Sequence, residues 1–321
     1  MAPHCGFELI FLPGERSAGK LRKLLIYLIN AWKTLQVLRV KRPDVVWIQL
    51  PQVPLMWVAL FYRKLFNRRA LVIADCHNKM FRPPWSKFPF GIRLLSRCNF
   101  VLVHNDEVYK DAIALGISPD VTMVIEDPPA FFDKAAQVSP DKDIARPLLV
   151  FPASFAEDEP IKELLEAAAM VPSASFVITG NVLDCREQAL IVNAPENVSF
   201  VGFLDREAFD RLLLSCDAVI ALTRFDGIQL SVCGEAVGAA KPMLISDTVT
   251  LRRLFPEGNI FVQSDSAQAI AAGVHRLLGS LQSLSEKATT ANFRLTNWWI
   301  EQRGQPLMRN IHTELTSIAT Q

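Results

Sequence analysis

The 321-residue chain balances 34 Lys/Arg against 33 Asp/Glu and is 50% apolar. That composition builds substantial cores, excludes a disordered chain and leaves room for two domains of ordinary size. The six cysteines (Cys5, Cys76, Cys98, Cys185, Cys216, Cys233) show neither C-x-x-C nor zinc-like spacing, which argues against a disulfide framework or a metal site and fits a reduced, cytosolic protein.

Apolar strand-like runs alternate with helical stretches along the chain, the signature of parallel α/β units. The opening MAPHCGFELIFLPGER lacks the basic start and long apolar run of a signal peptide. In the first half, strands are expected at 7–12 (FELIFL), 45–49, 70–74, 100–104 and 121–125, with helices near 18–41, 53–67, 87–98 and 105–116. The most apolar window, VPLMWVALFY at 53–62, is too short to span a bilayer. Residues 127–147 carry four prolines without periodicity and read as a linker. The second half restarts with strands at 147–152, 175–179, 198–200, 218–222, 243–247 and 259–262. Helices near 160–171, 205–215, 228–240 and 265–282 lie between them, and Pro160 sits in the first turn of one. Domain bounds follow as 1–130, a linker at 131–146, a second domain at 147–285 and a helical tail at 286–321.

The most informative run is AVIALTRFDGIQLSVCGEAVGAAKPMLISDTVTLRRLFPEG, beginning at Ala218. AVIAL lacks alternation, as a strand covered on both faces should. Glu235 then stands alone among small residues, between Gly234 and Ala236. A carboxylate there needs a partner, either a nearby backbone group or arginine, or a ligand.

This segment resembles the donor-sugar site of the group 1 GT-B glycosyltransferases. The likeness is carried by Glu235-Ala236, Ala240-Lys241-Pro242, Ser246-Asp247 and Leu251-Arg252. It implies two Rossmann-like, doubly wound parallel-sheet domains, with ligands at the carboxyl ends of the strands. It also implies that Glu235 binds the ribose of a nucleotide diphosphate-sugar of GDP or UDP type. Thr179, Gly180, Asn181 and Phe203 end two further strands and would shape the nucleotide pocket.

In the first half, LVIADCHN at 71–78 delivers Asp75, His77 and Asn78 from a strand end, and His104-Asn105-Asp106 ends the next strand. Histidine can exchange a proton near neutral pH or hydrogen-bond a sugar hydroxyl. WIQLPQVP with VIADCHN, and VIEDPPAFF at 124–132, resemble the lipid-linked β-1,4-mannosyltransferase branch of the same superfamily. By that likeness His77 faces the reacting sugar, Asp75 orients it or serves as acid or base, and the aromatic loop FRPPWSKFPF (81–90) lies towards a membrane.

Residues 1–146 hold 21 Lys/Arg against 13 Asp/Glu. Such a basic half suits an anionic surface or substrate, with phospholipid headgroups and a polyprenyl-diphosphate acceptor both qualifying. No basic stripe with a recognisable nucleic-acid module is present. The implied protein is a metal-independent transferase, cytoplasmic and peripheral on the inner membrane face, moving a hexose to a lipid-linked or polysaccharide acceptor.

Three departures from the family pattern stand beside this. Gly227 occupies the usual acidic position eight residues before Glu235, with Asp226 one out of register. FPASFAEDEPIKE (151–163) is acidic where the family carries an Arg and Lys for the donor diphosphate, leaving Arg224 and the amides around Gly227–Ser231 as candidates. FELIFL looks like the second strand of a GT-B first domain, so the opening strand–helix unit is expected to be missing. The missing unit and the absent basic pair favour a second reading, a non-catalytic GT-B subunit supporting an active transferase. A sugar-nucleotide epimerase ranks third.

Overall fold

The structure is a computed structural model describing residues 5–12, 20–76, 78–83, 85–132 and 146–320. It divides into two units, one formed by residues 1–126 and 299–321 and the other by residues 127–298.

The first unit is built on a four-stranded parallel sheet in the order β1-β2-β3-β4, comprising Val45–Leu50, Leu71–Cys76, Phe100–Val103 and Thr122–Val124. Burial alternates along edge strand β1, whereas every residue of central β2 is buried, as sheet position dictates. Helix α1 (Lys20–Lys41) precedes β1 and α2 (Val53–Leu65) follows it. Val53, Met56, Ala59 and Tyr62 form the inward face of α2, at helical spacing. After β2 come two short 3-10 turns and α3 (Gly91–Leu95), then α4 (Asp106–Ala114) after β3. Asn105 caps α4 by accepting from Val108 N at 2.9 Å.

The other face of this sheet is closed by the chain terminus. Leu71, Ile73, Leu102 and Ile125 pack with Trp299, Leu307 and Ile311. Trp299 is 2% exposed, and its Nε1 donates to the Glu126 carbonyl oxygen at 2.7 Å. Arg303 grips the Glu126 carboxylate with two nitrogens.

The second unit holds a six-stranded parallel sheet in the order β10-β9-β8-β5-β6-β7. Its strands are β5 Leu148–Pro152, β6 Ser175–Thr179, β7 Val198–Gly202, β8 Ala218–Ala221, β9 Met243–Ser246 and β10 Asn259–Val262. The connecting helices are α5 Ile161–Ala169, α6 Gln188–Val192, α7 Arg206–Ser215, α8 Ser231–Gly238, α9 Val249–Leu254, α10 Ala267–Gly279 and α11 Leu281–Trp299. The last helix of the chain, α12, spans Gln305–Thr320. Leu149 and Phe151 of β5 face a core with α5 and α10, while Leu148 and Val150 face one with α7, α8 and α9. Strand order reverses between β5 and β8, and the ligand crevice of such a sheet opens at that point.

Three sequence expectations are corrected. FELIFL forms no strand: Phe7 lies against Trp47 with ring centroids 4.9 Å apart, and Leu9, Ile10 and Phe11 are exposed. Apolar content alone makes no strand without an edge to pair with. The helix expected at 87–98 shrinks to α3, and that expected at 228–240 to α8. In α8 the small residues serve a crossing, since Ala130 N donates to Gly234 O at 2.9 Å and a Cβ at Gly238 would lie 2.1 Å from Ala130 O.

Candidate functional site

The ends of β5, β6 and β7 meet through backbone contacts. Ala153 N donates to Thr179 O at 3.2 Å and Gly180 N to Gly202 O at 2.8 Å. Gly180 has φ +110°, and a Cβ there would sit 2.1 Å from Ala153 O, so only glycine fits. Thr179 is buried beneath this junction. Asn181 turns its side chain on Leu183 N at 3.3 Å. Phe203, 84% exposed, is left open to solvent.

The acidic stretch after β5 is tied down by its own neighbours. Glu159 Oε2 accepts from Phe155 N at 2.8 Å and Ser154 N at 3.0 Å, and Glu159 Oε1 accepts from Ser154 Oγ at 2.7 Å. Phe155 has φ +54°, so consecutive amides converge on one anion. Burial pushes the Glu159 carboxyl up despite the Ser154 and Phe155 hydrogen bonds that favour its charge. Across the β5–β8 reversal, Thr223 Oγ1 donates to Asp158 at 2.7 Å and Arg224 N to Asp158 O at 2.8 Å. The Arg224 guanidinium meets Glu163 at 2.7 Å. Burial acts to raise Glu163, but Arg224 outweighs it and holds the carboxyl below its ordinary value.

Asp226 caps α9, accepting from Val249 N at 3.2 Å and Thr250 N at 3.1 Å, and also takes Gly227 N at 2.7 Å. Asp226 is exposed, and these amides outweigh the slight desolvation it meets there and keep its pKa low. Gly227 N is shared with Thr250 Oγ1 at 3.1 Å. Glu235, half-buried on α8, is different: burial raises its pKa to about 7, Arg206 opposes the rise and Asp210 adds to it. Arg206 and Asp210 form an i,i+4 pair on α7 at 2.9 Å. Their helical spacing was visible in the sequence, but their proximity to Glu235 was not.

In the first unit, Asp75 is buried and engaged twice, by Trp47 Nε1 at 3.1 Å and by His104 Nε2 at 2.9 Å. The buried Asp75–His104 pair was not drawn from sequence, although both residues end neighbouring strands. His77 lies outside the described residues. In the 81–90 loop, Phe81 is core, Trp85 and Phe88 are half-buried against that core, and Phe90 is exposed. Among the described residues no group of three or more His, Cys, Asp or Glu could hold a metal ion, and no helix is long and apolar enough to cross a membrane.

Two parallel, doubly wound units, with an order reversal in the six-stranded sheet, define the GT-B glycosyltransferase fold. Residues 133–291 match the family described as glycosyl transferases group 1. Solved structures share the fold over most of both chains. HepE of Anabaena, crystallised with UDP and glucose, is 15% identical with a TM-score of 0.67, covering 90% of this chain and 83% of HepE. Sucrose-phosphate synthase of Thermosynechococcus elongatus is 17% identical with a TM-score of 0.67, covering 92% and 80%. A glycosyltransferase from Rickettsia africae is 13% identical with a TM-score of 0.61, covering 93% and 84%. No curated protein matches the sequence.

Proposed function

We propose that this chain is a metal-independent hexosyltransferase that moves sugar from a nucleoside diphosphate-sugar to a lipid-linked or polysaccharide acceptor at the inner membrane face. Glu235 carries this reading. It is a half-buried carboxylate raised to about 7 by burial, within the segment that matches the group 1 family. A carboxylate left in such an environment is a candidate for function, and the ribose diol of a nucleotide would supply the hydrogen bonds that offset its burial. A neighbour of the same fold, HepE, was solved with UDP-glucose, which favours a UDP-type donor. Thr179, Gly180, Asn181 and Phe203 would border the nucleotide, with Arg224 and the Gly227 amide towards the diphosphate and Asp226 towards the donor sugar.

On the acceptor side, Asp75 and His77 are assigned to proton handling, with His104 as the partner of Asp75. A buried carboxylate hydrogen-bonded to imidazole can hold a ring in one orientation and stabilise its protonated form. Positioning and diphosphate stabilisation would supply most of the rate.

A thermal-shift series with GDP, UDP, ADP and their sugar conjugates tests the donor assignment, because a ligand of the native state at a hundredfold excess over its Kd adds about 2.7 kcal/mol. A shift with one nucleotide, lost in Glu235→Ala, is the expected result. Unchanged affinity in that variant removes the assignment.

One observation favours the second reading, a non-catalytic subunit. The amides of Ser154 and Phe155 are taken by Glu159, and Arg224 is taken by Glu163. A diphosphate would have to displace both carboxylates. The absence of a shift with any nucleotide, with the protein folded, would support this reading.

A further inference from the structure

The outward side of α2 and α3 carries a surface that the donor reading leaves unused. Trp57, Phe61 and Lys64 follow one another at helical spacing on α2, and with Phe90, Leu94 and Arg97 they line a groove of about 440 Å³. Trp57 is 38% exposed, Phe61 48% and Phe90 65%, and Leu65 and Phe66 continue the exposed apolar strip. Aromatic rings extend the groove towards the 81–90 loop, with Trp57 and Phe88 at 5.6 Å and Phe88 and Trp85 at 5.7 Å between centroids.

Two observations say what covers it. The first is charge. Between Asp44 and Asp106 the chain has nine Lys/Arg residues and a single carboxylate, Asp75, which is buried against His104 and Trp47. Lys64, Arg68, Arg69, Arg82, Lys87, Arg93 and Arg97 are all exposed. Lys64 and Arg97 line the groove itself, and the segment that forms it is strongly basic, a balance that attracts an anionic surface. The second is Phe90, a bulky residue held at φ +58° with its ring in solvent. The left-handed region suits Gly or Asn and penalises Phe, and an exposed ring returns little burial to the fold. Cations alone would suit a polyphosphate chain of any kind. Cations interleaved with solvent-facing Trp, Phe and Leu suit the level at which headgroups and acyl chains meet.

We infer that the α2–α3 face is a docking surface for an anionic phospholipid bilayer, with Trp57, Phe61 and Phe90 entering the interface and Lys64 and Arg97 holding headgroup phosphates. The inference rests on the proposed function for its use, since a lipid-linked acceptor has to be met at a membrane. Vesicle binding is measured without donor or acceptor, so the two readings fail separately.

The test is co-sedimentation of the full chain with phosphatidylglycerol-containing vesicles, beside pure phosphatidylcholine vesicles and a tRNA control. Binding is expected to anionic vesicles only and to weaken with salt. Lys64→Gln with Arg97→Gln should cost on the order of twentyfold, about fivefold per cation. Phe90→Gly should weaken vesicle binding while leaving the melting temperature equal or higher, an outcome that misfolding cannot mimic. Failure of the folded wild-type chain to bind anionic vesicles overturns the inference. So does equal binding to tRNA, or binding insensitive to Phe90→Gly.

Discussion

Among the described residues, Glu235 and Glu159 are the carboxylates whose surroundings push them upward, and both bear on stability. Burial raises Glu235 from an ordinary 4.5 to about 7, so the folded state holds its proton more tightly than the unfolded chain. Its contribution is therefore full below about pH 4.5 and is lost as pH rises through 7. Glu159 is shifted in the same direction. Glu235→Gln should stabilise the ligand-free protein above pH 7 by up to about 3 kcal/mol and be neutral near pH 4. Paired melting curves across that range check it. Under the proposed function the same variant should lose nucleotide binding, since a ribose reader that is costly in the empty site is a function–stability conflict. Asp75 presents the opposite case, a buried carboxylate already satisfied. Asp75→Ala would remove the carboxylate that His104 and Trp47 share and should cost about 2–3 kcal/mol in urea unfolding. Donor-induced thermal shifts should persist in that variant, because Asp75 belongs to the other unit.

At the scale of elements, the crevice proposed for the donor depends on how the ends of β5, β6 and β7 approach. Gly180 is the joint, with its positive φ and with Ala153 O only 2.1 Å from where a Cβ would stand. Gly180→Ala should cost about 3 kcal/mol or more through strain and displacement of the β5–α5 loop, and donor affinity should fall with it. Differential scanning calorimetry and nucleotide titration of the same variant measure both. The loop itself is legible only in part. FPASFAEDEPIKE reads as acidic, and acidity there argues against phosphate. The folded loop shows where each charge goes: Asp158 to Thr223, Glu159 to the amides of Ser154 and Phe155, Glu163 to Arg224. Likewise Asp226, one residue out of the family register, is bound into the cap of α9.

On the scale of the whole molecule, the chain closes its first unit with its last residues. Trp299, Leu307 and Ile311 complete the core over Leu71, Ile73, Leu102 and Ile125. Trp299→Ala should destabilise that unit by about 3–5 kcal/mol, seen as an earlier transition in tryptophan-independent circular dichroism. The hydrogen bond from Trp299 to Glu126 O and the Arg303–Glu126 pair anchor these last residues within this unit.

Parallel strands and their interleaved helices were legible because two-sided burial writes unbroken apolar runs such as AVIAL and LVIAD into the sequence. Glu235 was legible as one carboxylate among small residues, and the basic bias of the first half as simple charge counting. FELIFL misled because an apolar run becomes a strand only against a partner edge, a non-local condition. The small residues around Glu235 were legible but one reason for them was not, since their size also answers to the backbone of Ala130 crossing α8. Residue types and local periodicity set which elements form. Only packing between distant segments decided which carboxylates are already spent on the fold and which, like Glu235, still lack enough contacts to offset their burial.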